Sequence, residues 1–140
     1  MYRVVFTSRA SSNFSRAEIK ALCEAAAVRN EVNGITGLFL SDGSRFLQVI
    51  EGEEEDVDDL VRRIVRNPRH HDIIIVSSHR IEHREFHNRT MSQPLYGVGD
   101  DPDDYVERIK EELKEVSDDH LKAMFIGFAF LARNARFRYE

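Results

Sequence analysis

Two primary amides, Asn30 and Gln48, lie in a stretch that ends at Gly52 and otherwise has the composition of a β-hairpin. Strand alternation places Phe46, Gln48 and Ile50 on one face, so Gln48 is a polar group between two large apolar side chains. A buried amide left without partners costs on the order of 1–3 kcal/mol. Either the protein or a ligand with donors and acceptors on a flat edge must therefore satisfy these amides.

Three histidines spaced by four, His79, His83 and His87, would form a metal-binding face on a helix. Their segment has no helical apolar stripe, and in an extended chain successive histidines would be about 13 Å apart. We therefore predict no metal site. The sequence also has no glycine-rich phosphate loop, nucleophile elbow or paired-cysteine motif, so we predict that the protein is not an enzyme.

The 140-residue chain has a net charge of −5, with acidic residues clustered at 51–59 and 100–115. This charge argues against binding to nucleic acid phosphates. The longest apolar run, 123–132, is about half of what spans a bilayer, so we predict no membrane insertion. The single cysteine, Cys23, cannot form an intrachain disulfide, and no charged-then-apolar leader precedes the first predicted strand. We expect a cytoplasmic protein.

The elements that position the amides follow from periodicity and capping signals. Residues 2–7 predict a strand, and the capping-box pair Ser15 and Glu18 begins an amphipathic helix that ends near Arg29. Residues 35–40 and 45–50 flank Asp42-Gly43, which predicts a hairpin. Acids at the start and bases at the end predict a helix over 53–66. The apolar run in residues 72–77 predicts a central strand covered on both faces.

This β-α-β-β-α-β order predicts an α+β, ferredoxin-like fold, with two helices on one face of a mixed sheet. Beyond it, Asp101 as N-cap and Pro102 begin a helix with one apolar face, formed by Val106, Ile109, Leu113 and Val116. A second helix carries a wide apolar stripe, which we expect to cover the other face of the sheet or a neighbouring subunit; it comprises Leu121, Met124, Phe125, Phe128, Leu131 and Ala132. We divide the chain into a domain of residues 1–95 and a helical extension of residues 96–140.

The predicted helices and strands converge on one cleft, where a flat heteroaromatic ring could lie between Leu22 and Ile64 with its polar edge at Asn30 and Gln48. At this point the chain resembles the BLUF family, blue-light sensors that use flavin, over roughly residues 1–93. Separated segments match in order: Arg-Asn before Asn-Gly-Ile-Thr-Gly, then Phe-Leu-Gln-Val-Ile-Glu-Gly, then Arg-Arg-Ile-Val followed by Arg-His-His, then Phe86 and Met91.

The resemblance implies that FAD is bound with its ring held by Asn30 and Gln48. It places Arg63 and the loop from Asn67 to His71 near the polar edge and the phosphates, and the matching motifs add Arg29 and Met91. Taken alone, Asn30 is also typical of a helix C-terminus and Arg63 of a solvated helix surface.

In this family, light transfers an electron and a proton from a strand-one tyrosine to the flavin, and the glutamine between them rearranges its hydrogen bonds. Phe6 occupies that tyrosine position here and lacks the hydroxyl. Ala26, Asn67 and Arg89 likewise replace the serine, aspartate and tryptophan often found at their positions. We therefore predict that the usual photocycle fails.

The leading hypothesis is an FAD-binding sensory or regulatory module that acts through protein–protein interaction. We expect a homo-oligomer and a separate protein partner, with no binding to nucleic acid or membrane. Two alternatives stay open: a ferredoxin-like interaction module that no longer binds flavin, and a light-independent flavin redox protein.

Overall fold

The computed structural model describes residues 1–87, 89–91, 95–96 and 102–131. The elements follow the order β1, α1, β2, β3, α2, β4, β5, α3, α4. Their bounds are Tyr2–Ala10, Arg16–Val32, Thr36–Ser41, Arg45–Gly52, Glu54–Arg66, His70–Arg80, Leu95–Tyr96, Pro102–Glu112 and Asp119–Leu131.

The sheet has the strand order β4-β1-β3-β2-β5. The first four strands pair antiparallel, while β5 runs parallel to β2. This is the predicted ferredoxin-like arrangement with two further helices. The hairpin between β2 and β3 turns at Gly43, where φ is +89°, and the Asp42 carboxylate accepts hydrogen bonds from the backbone N–H groups of Ser44 and Arg45.

Helix α1 begins at the predicted capping box. The Ser15 hydroxyl accepts from the backbone N–H of Glu18 at 3.1 Å, and the Glu18 carboxylate accepts from the N–H of Ser15 at 3.1 Å. The helix continues to Val32, beyond its predicted end near Arg29, so Asn30 lies within its last turn. This placement buries Asn30 while leaving it on the helix side that faces the sheet.

The two faces of the sheet carry separate apolar clusters. Residues Val4, Phe6, Phe39 and Phe46 of the strands pack with α1 and α2. The alternate strand residues pack with α3 and α4; they are Val5, Leu38, Leu40, Leu47 and Val49. The sheet is therefore covered by a helical layer on each side.

The strand predicted as central and covered on both faces, β4, lies instead at one end of the sheet order, beside β1. Ile74, Ile75 and Val76 are 60%, 44% and 46% exposed. The pairing register with β1 shifts between Val5 and Phe6 and again between Thr7 and Arg9, which indicates β-bulges. The prediction was wrong because an apolar run does not reveal how many neighbours its strand has.

Helices α3 and α4 bury the apolar stripes that their spacing predicts. Val106, Ile109, Leu113 and Val116 are buried, as are Leu121, Phe125 and Phe128, and Met124 packs against the same cluster. Leu131, by contrast, is 68% exposed. Asp101 and Ala132 lie outside the described residues. Both helices share one core with the sheet, so much of the stripe is buried within this chain.

Polar contacts attach the turn between α3 and α4 to the rest of the domain. Arg3, although almost completely buried, pairs with Asp118 at 3.1 Å, and Asp118 accepts from the backbone N–H of Leu121 at the start of α4. The Ser117 hydroxyl donates to Glu85 at 2.5 Å. The N-terminus of α4 is thereby attached to β1 and to the segment after β4.

Candidate functional site

A cavity of about 310 Å³ opens between α1, α2 and the face of the sheet that carries Phe6 and Gln48. Its size is at the lower end of the range typical of small-molecule sites. The structure brings together all but one of the predicted site residues on its lining: Leu22, Arg29, Asn30, Gln48, Arg63, Ile64, Asn67 and Met91.

His71 is the exception, because the neighbouring histidine occupies the cavity wall. His71 is exposed and its Nδ1 lies 3.2 Å from the carboxylate of Asp72. His70 lines the cavity. The backbone at Asp72 has a positive φ of 53°, so simple alternation along the strand does not tell which histidine points inward.

Gln48 lies at the floor of the cavity between aromatic side chains. It pairs in register with Phe6 of β1 and with Phe39 of β2. Directly opposed residues share a face of the sheet, so the amide is flanked by two phenyl rings. Its Nε2 donates to the Met91 sulfur at 3.0 Å. A thioether is a weak acceptor, so a ligand oxygen would compete well for this donor.

Asn30 reaches the same short segment of chain as Gln48. Its Nδ2 donates to the carbonyl oxygen of Thr90 at 2.9 Å. The carbonyl of Arg89 in turn accepts from the N–H of Gly37 at 2.9 Å. A Cβ at Gly37 would lie 1.9 Å from the carbonyl oxygen of Val49, so only glycine fits there. The segment 89–91 is thereby positioned against both amides.

The charged side chains that line the cavity are basic. Arg29, Arg63 and Arg69 line it, and none of its lining residues among those the structure describes is a carboxylate. The Arg63 Nε is buried and has no hydrogen-bond partner in the described part of the chain. In a protein of net charge −5, this arrangement suits an anionic ligand.

One polar lining residue, Ser8, was missed by the sequence analysis, whereas its partner His70 belongs to the loop from Asn67 to His71 that the resemblance places at this site. Ser8 is 3% exposed, and its Oγ lies 2.8 Å from the Nδ1 of His70. The Nε2 of His70 lies 2.7 Å from the carbonyl oxygen of Ile64. Strand alternation from Phe6 places Ser8 on the cavity face, and this signal could have identified it.

The thiol of Cys23 also lines the cavity. Burial, with a smaller contribution from Glu24, raises its pKa to about 12, so it stays protonated at neutral pH. A protonated, buried thiol is a poor nucleophile. In the part of the chain that the structure describes, no group of three or more His, Cys, Asp or Glu side chains could hold a metal ion.

The residues present fit a flavin. Leu22 and Ile64 provide apolar walls on the two helices, and Asn30 and Gln48 provide amides at the polar end. Each amide also has a carbonyl oxygen for which the described residues offer no donor. Donors and acceptors side by side are what the carbonyl and N–H edge of an isoalloxazine requires.

Comparison with known proteins identifies the family. The family model for BLUF, sensors of blue-light using FAD, matches residues 1–92. The chain belongs to the BLUF family. FAD is therefore the cofactor of this domain, and the prediction of a flavin-binding BLUF domain is confirmed.

The relatives of this BLUF chain include light-responsive proteins. The blue light- and temperature-regulated antirepressor BluF of Escherichia coli (strain K12) is 39% identical over 57 residues, which are 41% of this chain and 14% of that protein. The photoactivated adenylate cyclase subunit beta of Euglena gracilis is 31% identical over 83 residues, 59% of this chain and 10% of the subunit. The matches thus cover only a small part of these relatives.

Two solved BLUF structures share most of their length with this BLUF chain. BlrB, described as a BLUF protein in its dark state, has a TM-score of 0.69 at 25% identity, covering 95% of this chain and 96% of that one. The structure described as BlrP1 BLUF has a TM-score of 0.75 at 27% identity, covering 99% and 94%. Among the described residues of this chain, no helix is long and apolar enough to cross a membrane.

Proposed function

We propose that this BLUF domain holds FAD as a regulatory module that acts through protein contacts, without the tyrosine-dependent photocycle. The observation that carries the proposal is Phe6, which faces Gln48 across β1 and β3 on the floor of the cavity. A phenyl ring cannot donate a hydrogen bond or a proton, and it is harder to oxidise than a phenol. Gln48 therefore lacks the partner that drives its rearrangement in the family.

Eight of the residues that line the cavity have a role in this proposal. Leu22 and Ile64 contact the two faces of the ring, while Asn30 and Gln48 hydrogen-bond its polar edge. Bound FAD supplies blue-light absorption and electron-accepting capacity. The arginines and Asn67 neutralise or hydrogen-bond the anionic tail; they are Arg29, Arg63 and Arg69.

Apart from His70, no described lining residue could supply substrate-directed acid–base chemistry at neutral pH. The cavity wall contains no carboxylate among the described residues, and its cysteine is protonated. This chemistry supports a binding module rather than an enzyme. We propose a cytoplasmic module of residues 1–95, with the helical extension from residue 96 as the part that meets a partner.

Self-association is a further part of the proposal. Ile74 and Val76 of β4 are exposed, as are Phe130 and Leu131 at the end of α4. Exposed apolar groups of this size on two elements favour contact with another subunit. Light scattering over a range of protein concentrations tests this; a monomer at all concentrations contradicts it.

Absorbance spectroscopy tests the binding and light parts separately. The purified protein reconstituted with FAD is expected to retain a flavin spectrum after desalting, and loss of all flavin contradicts binding. Under blue light the bound spectrum is expected to show no reversible red shift. A reversible red shift in the wild-type protein contradicts the loss of the photocycle.

The Phe6→Tyr variant tests whether one hydroxyl accounts for that loss. If it does, the variant gains a reversible red shift under blue light, whereas a Phe39→Tyr control on the other side of Gln48 gains none. If neither variant gains the red shift, Ala26, Asn67 or Arg89 also prevents the photocycle.

A further inference from the structure

The Ser8 and His70 pair lines the cavity and has no role in the function proposed above. Ser8 lies on the same face of β1 as Phe6 and is paired in register with Phe46 of β3. His70 is the first residue of β4, and its ring meets that of Phe46 edge to face, with centroids 6.3 Å apart. The pair therefore lies on the cavity floor next to the aromatic side chains that flank Gln48.

The hydrogen bonds of His70 determine its tautomer. The carbonyl oxygen of Ile64, 2.7 Å from Nε2, can only accept, so Nε2 carries the hydrogen. In the neutral imidazole Nδ1 is then a lone pair, and the Ser8 hydroxyl donates to it across 2.8 Å. The Ser8 hydrogen is held by His70 in this state, and only a Ser8 lone pair is available to a ligand.

Protonation reverses the direction of one of these bonds. When a proton from solvent adds to Nδ1, both ring nitrogens become donors, and Nδ1–H donates to the Ser8 oxygen. The Ser8 hydrogen is released and can be donated into the cavity. No heavy atom needs to move for the cavity to gain a hydrogen-bond donor.

We propose that Ser8 and His70 form a proton-operated hydrogen-bond switch in the wall of the flavin cavity, so that protonation of His70 turns the Ser8 hydroxyl toward the bound ring. The inference rests on the proposed binding of FAD in this cavity. It assigns the protein a response to pH that depends on neither light nor a tyrosine.

The other charged and titratable groups that line the cavity are arginines and a cysteine, whose ordinary chemistry does not change their charge between about pH 5 and 8. His71, the residue next to His70, is exposed and faces Asp72 rather than the cavity. Arg29 of α1, Arg63 of α2 and Arg69 before β4 stay protonated. Burial keeps the pKa of Cys23 at about 12. Arg9 and Asp72 lie on the exposed side, where they pair at 4.0 Å. Among the described residues that line the cavity, His70 is the one histidine, so a variant at this position isolates its part in a pH response.

The test is a pH titration of the FAD-loaded protein between about pH 5 and 8, followed by flavin absorbance. A reversible, one-proton shift of the flavin band is expected. Ser8→Ala is expected to bind FAD and lose the shift, and His70→Asn to lose it as well. His79→Asn, on the exposed part of β4, keeps it. Loaded wild-type protein without a shift, or a shift that survives in Ser8→Ala, would overturn the proposal.

Nitrogen NMR of the imidazole rings in the unliganded wild-type protein provides a test that needs neither a variant nor FAD. At about pH 8 the neutral His70 ring is expected as the Nε2–H tautomer. The Nδ1–H tautomer would overturn the switch. Failure to bind FAD at all would instead contradict the proposed function and leave this NMR result standing, so the two failures are distinguishable.

Discussion

The two faces of the sheet carry similar apolar residues but differ in what those residues contact. On the face that packs with α3 and α4, the buried carboxylate of Glu51 accepts hydrogen bonds from Thr36, Glu85 and Phe86. On the face that packs with α1 and α2, an open cavity remains, and the Gln48 amide N–H donates to the weakly accepting sulfur of Met91. Apolar surface is used for folding on one face and is kept for a ligand on the other.

The largest expected difference between the two faces is in the free energy of unfolding, when a large side chain is removed from one face or from the other. Phe125→Ala, at a completely buried position of α4, is expected to lower the free energy of unfolding by about 4 kcal/mol. Leu22→Ala, at the cavity wall, is expected to cost about 1 kcal/mol of stability because part of its surface is already accessible.

FAD affinity is expected to respond in the opposite order. Leu22→Ala is expected to weaken FAD binding about tenfold, whereas folded Phe125→Ala binds FAD as the wild type does. Urea denaturation and FAD titration measure the two quantities. If both variants lose stability and affinity to similar extents, the faces are not separate in function.

The next largest effect concerns the buried carboxylate. Glu51→Ala leaves the N–H groups of Glu85 and Phe86 without their acceptor and is expected to cost about 3 kcal/mol in chemical denaturation. Glu51→Gln, which keeps an acceptor oxygen, is expected to lose less. Exposed Glu53→Ala serves as the control and should change stability by less than about 0.5 kcal/mol; equal losses in all three variants would show that the hydrogen bonds contribute nothing.

On the cavity face, removing an amide is expected to affect the ligand more than the fold. Asn30→Ala loses one hydrogen bond to Thr90 and the contact with the ring, so FAD affinity is expected to fall about tenfold, equivalent to about 1.4 kcal/mol. Fluorescence titration with FAD measures this. Glu31→Ala, exposed on the same helix, should bind FAD normally, and an Asn30→Ala variant that also does so would remove Asn30 from the site.

The smallest effect is expected at Asp118 on the packed face. The N–H of Leu121, and more weakly Arg3, lower the pKa of Asp118. A lowered folded-state pKa means that the stabilisation is present above the ordinary carboxyl range and is lost as pH falls through the lowered value. Asp118 is partly exposed, so the contribution is expected to stay below about 1 kcal/mol.

Thermal unfolding of Asp118→Asn against the wild type measures this contribution. The variant is expected to be slightly less stable at neutral pH, and the difference is expected to shrink as the pH falls below the ordinary carboxyl range and Asp118 takes up its proton. A constant difference at every pH would attribute the effect to packing rather than to charge.

Local signals in the sequence predicted the cavity face well. The capping box at Ser15, the hairpin turn at Gly43 and the alternation around Gln48 depend on a few neighbouring residues. These elements alone determine where Asn30 and Gln48 lie. The family resemblance then added Arg29, Arg63, Asn67 and Met91, which line the cavity, and His71, which does not.

Features that depend on distant strands were not predicted. The apolar run in β4 resembles a central strand because its sequence does not encode the number of neighbouring strands. The inward position of His70 depends on the bulges and on the left-handed backbone at Asp72. The contacts of segment 89–91 with both amides join residues far apart in sequence, so no local pattern reveals them.

The bulges in β4 also bear on aggregation. An edge strand with consecutive exposed apolar residues such as Ile74, Ile75 and Val76 is the kind of template on which cross-β fibrils grow. Two register shifts and the left-handed residue Asp72 break the flat, regular row of N–H and C=O groups that such growth needs. The same irregularities that turn His70 inward therefore protect the folded protein from fibril formation at its most apolar edge.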